Sequence, residues 1–441
     1  MNDAFNSIPE AITARARMNS FTKEERERRE DADINKDFFL NRQSKYLTLL
    51  SADQQPITIN LTKPITKKRS TMLYQKRLVR TIVGPAISIA ALERIYTDIN
   101  IDSLMLKVDQ MAELTGTTIV LPYISFDQDG VLRVKMVLYD GSLISALPSE
   151  DDPNKPSAVS VIRLIDRIQN NGEFGQTGQE RVIRQQIWTD TAVVTYEGDR
   201  LISSETNELG FIPMIAFRGE EFENQFVGEA PITGVRQLNA SVNQMMTDLG
   251  YTIRMQTASP IALEGYQSGE QITLHPGRAF SLPVGAKASV LDFNPKIKEA
   301  MEVIAYVEGK VYETSSVPKV SIVGGEGTSG RELLVRWFPL TQVFEEKSVR
   351  YQKYEFDLAN MILRIMGLPL IKTLVIDFPD DANLPLSSSE DTLKDDIRLG
   401  ITTPALEVVR RNPDMSLAEA MLFVKQNLAF NKGIDNNMRN Q

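Results

Sequence analysis

Four glycines between residues 324 and 330 mark the stretch whose residue types and spacing come nearest to a chemical motif. Gly325-Glu-Gly-Thr-Ser-Gly330 has the glycine interval of a phosphate-cradling loop. It sits between a β-branched run at 320–323 and a long helical pattern, and Leu374-Val-Ile-Asp377 follows downstream. A nucleotide loop of that kind needs Lys and then Ser or Thr after its second glycine, to reach the β- and γ-phosphates and hold magnesium. This chain has Arg331 and Glu332 there, and Glu332 would repel a phosphate. The NTPase reading is rejected. What remains is a glycine-rich loop, free in its backbone and with uncovered amides, that is either mobile or cradles an anion.

Other catalytic chemistry is poorly supplied. There is no cysteine, so neither disulfides nor thiolate metal sites can form, and this suits a reducing compartment. The single histidine, His275, lies in the turn sequence Leu274-His-Pro-Gly277. Histidine metal sites and a histidine relay are both disfavoured by that count. The acidic groups Glu150-Asp-Asp152 and Glu220-Glu221 lack a fixed ligand spacing and read as loops. No catalytic residue, metal or cofactor is expected.

The elements that position the glycine loop are legible from their periods. Trp337, Leu340, Phe344, Lys347, Tyr351, Tyr354, Leu358, Met361 and Ile365 recur three and four apart, one helical face interrupted only by Lys347. The pattern predicts a helix over 329–366, about 38 residues and roughly 57 Å long. Gly367 and Pro369 end it, and Pro339 predicts a kink between Val335 and Pro339. Before the loop, Ile232, Val235, Leu238, Val242, Met245, Leu249 and Ile253 give a helix over 231–258, and Ile297 to Val311 another over 295–314. The first has flanks rich in Asn239, Ser241, Asn243, Gln244 and Thr247 and poor in charge, so it is packed on several sides. Between the two lies a turn-rich stretch with short strands.

The chain of 441 residues has length for two or three domains, 42% apolar residues and a net charge of −9. Such an acidic protein is a poor tight binder of DNA, since phosphate neutralisation supplies most of that affinity, but it could surround DNA without gripping it. Residues 1–18 contain no apolar signal core, and the run from Thr81 to Leu92 is too short to span a bilayer. Residues 1–52 read as helices, with the alternating charges of 23–31 forming a solvated face. Seven cations and no acid occur from Lys63 to Arg80, a nucleic-acid patch or a solvated or partnered surface, with Tyr74 the one stacking ring. Helices at 86–97 and 102–114 precede a hairpin of 117–126 and 131–139, with further strands at 181–188, 192–196 and 211–217. The C-terminal part has a strand at 372–378 and then short helices at 393–399 and 405–411. Ser416-Leu-Ala-Glu419 forms a capping box for the last helix, and the tail from Asn431 is polar.

This order resembles the portal, or head-to-tail connector, proteins of tailed bacteriophages. The resemblance is carried by Leu209-Gly-Phe-Ile-Pro-Met-Ile-Ala-Phe217, by Val235-Arg-Gln-Leu-Asn-Ala-Ser-Val-Asn243, by Ser329-Gly-Arg-Glu-Leu333 and by Leu399-Gly-Ile-Thr-Thr-Pro-Ala-Leu406, in that order. It implies an α+β, mainly helical portal fold forming a ring. N-terminal helices and an α/β wing would occupy 1–230, stem helices 231–258 and 295–316, and the clip 259–294. A channel loop would occupy 317–329, a long kinked helix and return strand of the wing 330–386, and a helical crown and tail 387–441. By the same likeness Lys319, Ser321, Gly324, Gly325, Glu326, Gly327 and Thr328 would face DNA in the channel. Asn239, Asn243, Gln244 and Thr247 would meet the neighbouring subunit, and Tyr266, Gln267 and Gln271 of the clip would dock other components. The implied partners are eleven further copies in a ring of twelve, double-stranded DNA, the terminase large subunit, a head–tail adaptor, and the major capsid and scaffolding proteins, with no membrane. The implied place is the portal vertex of a virion assembled in the host cytoplasm. The rival readings are another virion structural protein, such as a head–tail adaptor or capsid-associated subunit, and, least favoured, a P-loop-like NTPase.

Overall fold

The computed structural model describes residues 23–126, 130–152, 154–170, 177–221, 226–257, 261–264, 287–290, 296–319, 330–378, 403–411 and 415–438. In chain order the elements are α1 (Lys23–Phe39), α2 (Thr62–Thr71), β1 (Val79–Val83), α3 (Ala86–Ile99), α4 (Ile101–Thr115), β2 (Thr117–Phe126), β3 (Leu132–Asp140), β4 (Ile144–Pro148), β5 (Pro156–Asn170), β6 (Thr177–Thr189), β7 (Ala192–Glu197), β8 (Arg200–Thr206), β9 (Ile215–Arg218), α5 (Thr233–Thr257), β10 (Ile261–Glu264), β11 (Lys287–Val290), α6 (Ile297–Ser315), α7 (Gly330–Ile365), β12 (Thr373–Asp377), α8 (Pro404–Arg411) and α9 (Leu417–Met438). The fold is α+β and predominantly helical, with all its sheets antiparallel among the described residues.

The chain divides into two compact units, residues 1–319 with 343–379, and residues 320–342 with 380–441. In the first, the sheet β3-β2-β9 and the ribbon β1-β12 share a core with α3, α4 and the C-terminal part of α7. Leu92, Met105, Val108, Phe217, Tyr351, Leu358 and Ile362 lie at its centre, all essentially inaccessible to water. Phe217, Tyr351 and Tyr354 meet there with ring centroids 5.3–5.9 Å apart in tilted and edge-on arrangements, a geometry that adds to the apolar burial. A five-stranded sheet, β4-β5-β6-β7-β8, carries the second core: Ile144, Val159 and Val161 pack against Ile119 and Met214. Gly116 ends α4 with φ +80, and a Cβ there would stand 2.5 Å from the Gly228 carbonyl oxygen, so no other residue makes this turn without displacing the backbone beside it.

α7 contains 36 residues and passes through Pro339 without ending. Gly367, at φ +67, supplies the stop that the sequence pattern predicts. In the second unit, α8 and α9 pack as a helical pair, and Ser416 and Glu419 form the reciprocal capping box: the Glu419 carboxylate accepts the Ser416 amide at 2.9 Å, and the Ser416 hydroxyl accepts the Glu419 amide at 3.4 Å. α9 runs on through Asn431, where the sequence suggested only a polar tail.

Two expectations for the N-terminal region are corrected. Among the described residues of 1–52, α1 and a short 3-10 turn, Gln43–Tyr46, are the only helical pieces, and residues 47–61 form an irregular strap. The charged face of α1 is not simply solvated. Arg28 donates to the carbonyls of Gly141 and Ile144 at 2.9 and 2.8 Å, Arg29 donates to that of Ser142 at 2.7 Å, and Asp31 pairs with Arg236 of α5 at 2.5 Å.

Candidate functional site

Lys347 interrupts the apolar stripe of α7 because it has buried acids to meet. α4 turns Asp109 and Glu113, one helical turn apart, toward the core, and α2 brings Arg69 to the same place. The Lys347 ammonium lies 2.7 Å from Asp109 and 2.8 Å from Glu113, and Arg69 Nε is 2.9 Å from the other Glu113 oxygen. Tyr351 donates its hydroxyl to Asp109 at 2.7 Å, and Arg69 Nη1 donates to the Ser315 carbonyl at 2.8 Å. Burial would raise the Glu113 carboxyl, but Arg69 and Lys347 outweigh it and hold the group at about 2. Asp109 is shifted the other way: burial and the neighbouring Glu113 outweigh its single cation.

The arrangement is closed: two cations face two carboxylates, and the Tyr351 hydroxyl and the carbonyls of Ser315 and Arg69 fill the remaining positions. It offers no open ligand position and no exposed nucleophile. Its effect is mechanical. Glu113 is shared between Arg69, which holds the last residue of α6, and Lys347 of α7, so the segments on both sides of residues 320–329 are tied to α4. A second network lies farther along α7. Glu355 accepts from Tyr74 at 2.8 Å and from Arg80 at 2.7 Å, and Arg80 reaches Asp102 at 2.6 Å.

These contacts revise the basic stretch from Lys63 to Arg80. Arg69 and Arg80 are core ion-pair residues, and Tyr74 is a buried donor rather than a stacking platform. Lys67, Lys76 and Arg77 remain exposed. The signal for the cluster was present in the sequence as the charge in the α7 stripe and as Asp109 and Glu113 on the apolar face of α4.

The amide-rich flank of α5 is also corrected. Asn239, Asn243 and Thr247 are fully buried within the single chain, against its own strap. Asn239 accepts from the Leu61 amide at 3.1 Å and donates to the Ile59 carbonyl at 2.8 Å; Asn243 accepts from the Ile59 amide at 2.8 Å. Thr247 accepts from the Ile57 amide at 3.0 Å and donates to its carbonyl at 3.1 Å. Every fourth helix residue thus serves every second strap residue, because about 6 Å of helix rise matches about 6.6 Å of extended chain. Gln244 brackets Thr48, accepting its amide and donating to its carbonyl, both at 2.9 Å. The uncharged flank is explained within the chain, where a neighbouring subunit had been expected.

Of the expected channel residues, Lys319 is described: its ammonium pairs with Glu308 at 3.1 Å and lies 5.8 Å from the Tyr312 ring centre. Ser321, Gly324, Gly325, Glu326, Gly327 and Thr328 lie outside the described residues, as do Tyr266, Gln267 and Gln271. Within 259–294, β10 and β11 are described and pair antiparallel, Ile261 with Val290 and Glu264 with Lys287. Among the described residues, no group of three or more acids or histidines could hold a metal, and no helix is long and apolar enough to cross a membrane.

No protein-family model matches the chain, and no curated protein matches it. Among solved structures it is similar to a chain of the virion of a native gene transfer agent particle, at 12% identity over 77% of this chain and 85% of that one, with a TM-score of 0.39. It is also similar to a chain of the neck of the native particle computed with C12 symmetry, at 12% identity over 80% and 92%, TM-score 0.42. A third is a chain of the neck of the empty particle computed with C6 symmetry, at 14% identity over 79% and 87%, TM-score 0.45.

Proposed function

We propose that the chain is a portal protein, a subunit of a ring at one capsid vertex through which DNA is packaged, retained and ejected. The observation that carries this reading is the order of elements. α5, the two-stranded excursion β10-β11 and the returning α6, packed on α5, lead through residues 317–329 into the 36-residue α7. That order fits a stem of two helices with a clip at its tip and a segment following the stem that faces the channel. The four sequence pieces that resemble portal proteins run into β9, lie within α5, open α7 and run into the start of α8.

In this reading the clip 259–294 receives the packaging motor, the terminase large subunit, and later the head–tail adaptor. The wing and crown meet capsid and scaffolding proteins. The protein itself is not an enzyme: its acidic balance makes a channel that DNA slides through, and the energy for packaging comes from a separate ATPase. The loop 317–329, with Lys319 as its one cation and Glu326 as its one acid, touches DNA without reading sequence. The test is the mass of the purified particle together with its negative-stain image. Twelve chains around a hollow axis support the reading; a monomer or a closed compact particle removes it.

A further inference from the structure

Lys319 is the one cation between Lys310 and Arg331, so it is the charge with which residues 317–329 can meet a phosphate. The structure gives that charge a competitor. α6 ends at Ser315, whose carbonyl accepts from the Arg69 guanidinium at 2.8 Å. Ser316 follows with φ +58, and Val317 is buried, its amide donating to the Ser315 hydroxyl at 3.2 Å. The chain doubles back beside the helix it has just left, and the Lys319 ammonium comes to lie 3.1 Å from Glu308 and 5.8 Å from the centre of the Tyr312 ring. Glu308 and Tyr312 stand one turn apart on α6, so a carboxylate and a ring face meet the same side chain.

The pair is suited to exchange. Its side chains are 47% and 31% exposed, and an ion pair that open to water shifts an equilibrium by no more than about five-fold. A phosphate arriving from solvent competes with Glu308 for the same ammonium. Lys310 is taken up in the same way, by Glu313 and the Tyr306 ring, so both cations described between residues 306 and 319 already hold an acid. We propose that Glu308 is a positioning residue for the channel loop: it holds Lys319 against α6 when no DNA is present and yields it to the phosphodiester backbone when DNA passes, so that each copy grips DNA weakly and briefly. This inference rests on the portal reading above and names the residue that sets the strength of the loop's hold. A backbone phosphate is the same at every nucleotide, so the exchange reads no sequence.

The test compares the full-length parent with Glu308→Gln, Lys319→Gln and the double variant, each allowed to assemble. Binding to a short fluorescent duplex of arbitrary sequence is followed by anisotropy over a range of salt. Glu308→Gln should tighten binding by up to about five-fold for each lysine that meets DNA. It should also steepen the fall of log affinity with log salt by about 0.9 for each phosphate newly neutralised. The double variant should bind as Lys319→Gln alone does, since Glu308 acts only through that side chain. Unchanged affinity and slope in Glu308→Gln, or a gain that survives in the double variant, would overturn the proposal. So would an equal gain from Glu313→Gln, which removes the same charge beside Lys310 and would reveal a general effect of net charge. Light scattering on the same samples keeps the two readings apart. Rings in which Glu308→Gln has no effect overturn this inference alone, and a parent chain that stays monomeric overturns both.

Discussion

Lys347 Nζ stands 2.7 Å from Asp109 Oδ1, and both side chains are almost wholly shielded from water. The pair joins α7 to α4, and through Glu113 and Arg69 it reaches the Ser315 carbonyl at the end of α6. A buried ion pair of this kind adds little net stability over an apolar pair of the same shape, but losing one partner strands the other in a low dielectric. Its value here is geometric: the helices before and after the glycine loop are fixed to one support.

Lys347→Met is therefore expected to lower unfolding stability by about 3–5 kcal/mol, since Asp109 and Glu113 would share only Arg69. Adding Asp109→Asn should recover part of that loss. Urea unfolding of the two single variants and the double variant checks it; additive losses would show that the two residues do not act as a pair.

Acid should act through Glu113. Its folded value, about 2, lies below the ordinary 4.5, so its contribution is fully present above pH 4.5 and is lost as pH falls toward 2. The stability difference between the parent and Glu113→Gln should shrink over that window. A difference that stays constant from pH 5 to the acid limit of the measurement would contradict the assignment.

The extent of α7 was legible because its 3.6-residue period is interrupted only by Lys347 and ends at Gly367, whose positive φ is a local requirement. The buried cluster was only half legible. Lys347 in an apolar stripe announces a buried partner, but Asp109 and Glu113 lie 238 and 234 residues away in the chain, and no local pattern joins them. The α5 flank failed in the same way. Uncharged amides at 239 and 243 said that something covers the helix, and they could not say that residues 57–61 do so. β5 went unread because Ile162, Leu164, Ile165 and Ile168 do not alternate cleanly. Its strand character comes from β4 and β6 pairing on either side.

The strap offers a direct check. Asn239→Ala removes the acceptor for the Leu61 and Thr62 amides and the donor to the Ile59 carbonyl, at a cost of about 1–3 kcal/mol. Limited proteolysis should then cut faster between Leu49 and Ile59 while cleavage elsewhere is unchanged. Equal cutting rates in the two proteins would show that the ladder does not hold the strap.

Two genetic tests address the proposed channel and clip. Gly324→Pro with Gly327→Pro restricts the backbone of the loop and should lower packaging efficiency or let packaged DNA leak, with ring assembly normal. Deleting residues 267–271 should leave rings intact but block motor docking or tail joining. Parental genome retention in the first case, or parental infectious yield in the second, would contradict the role given to that segment.

The central claim is that this chain builds a ring around DNA, and native mass spectrometry of the assembled full-length protein tests it most directly. The account predicts one dominant species at twelve times the mass of the 49.5 kDa chain, with negative-stain images of the same sample showing an axial hole. A chain that stays monomeric or dimeric at every concentration at which it remains soluble would contradict it.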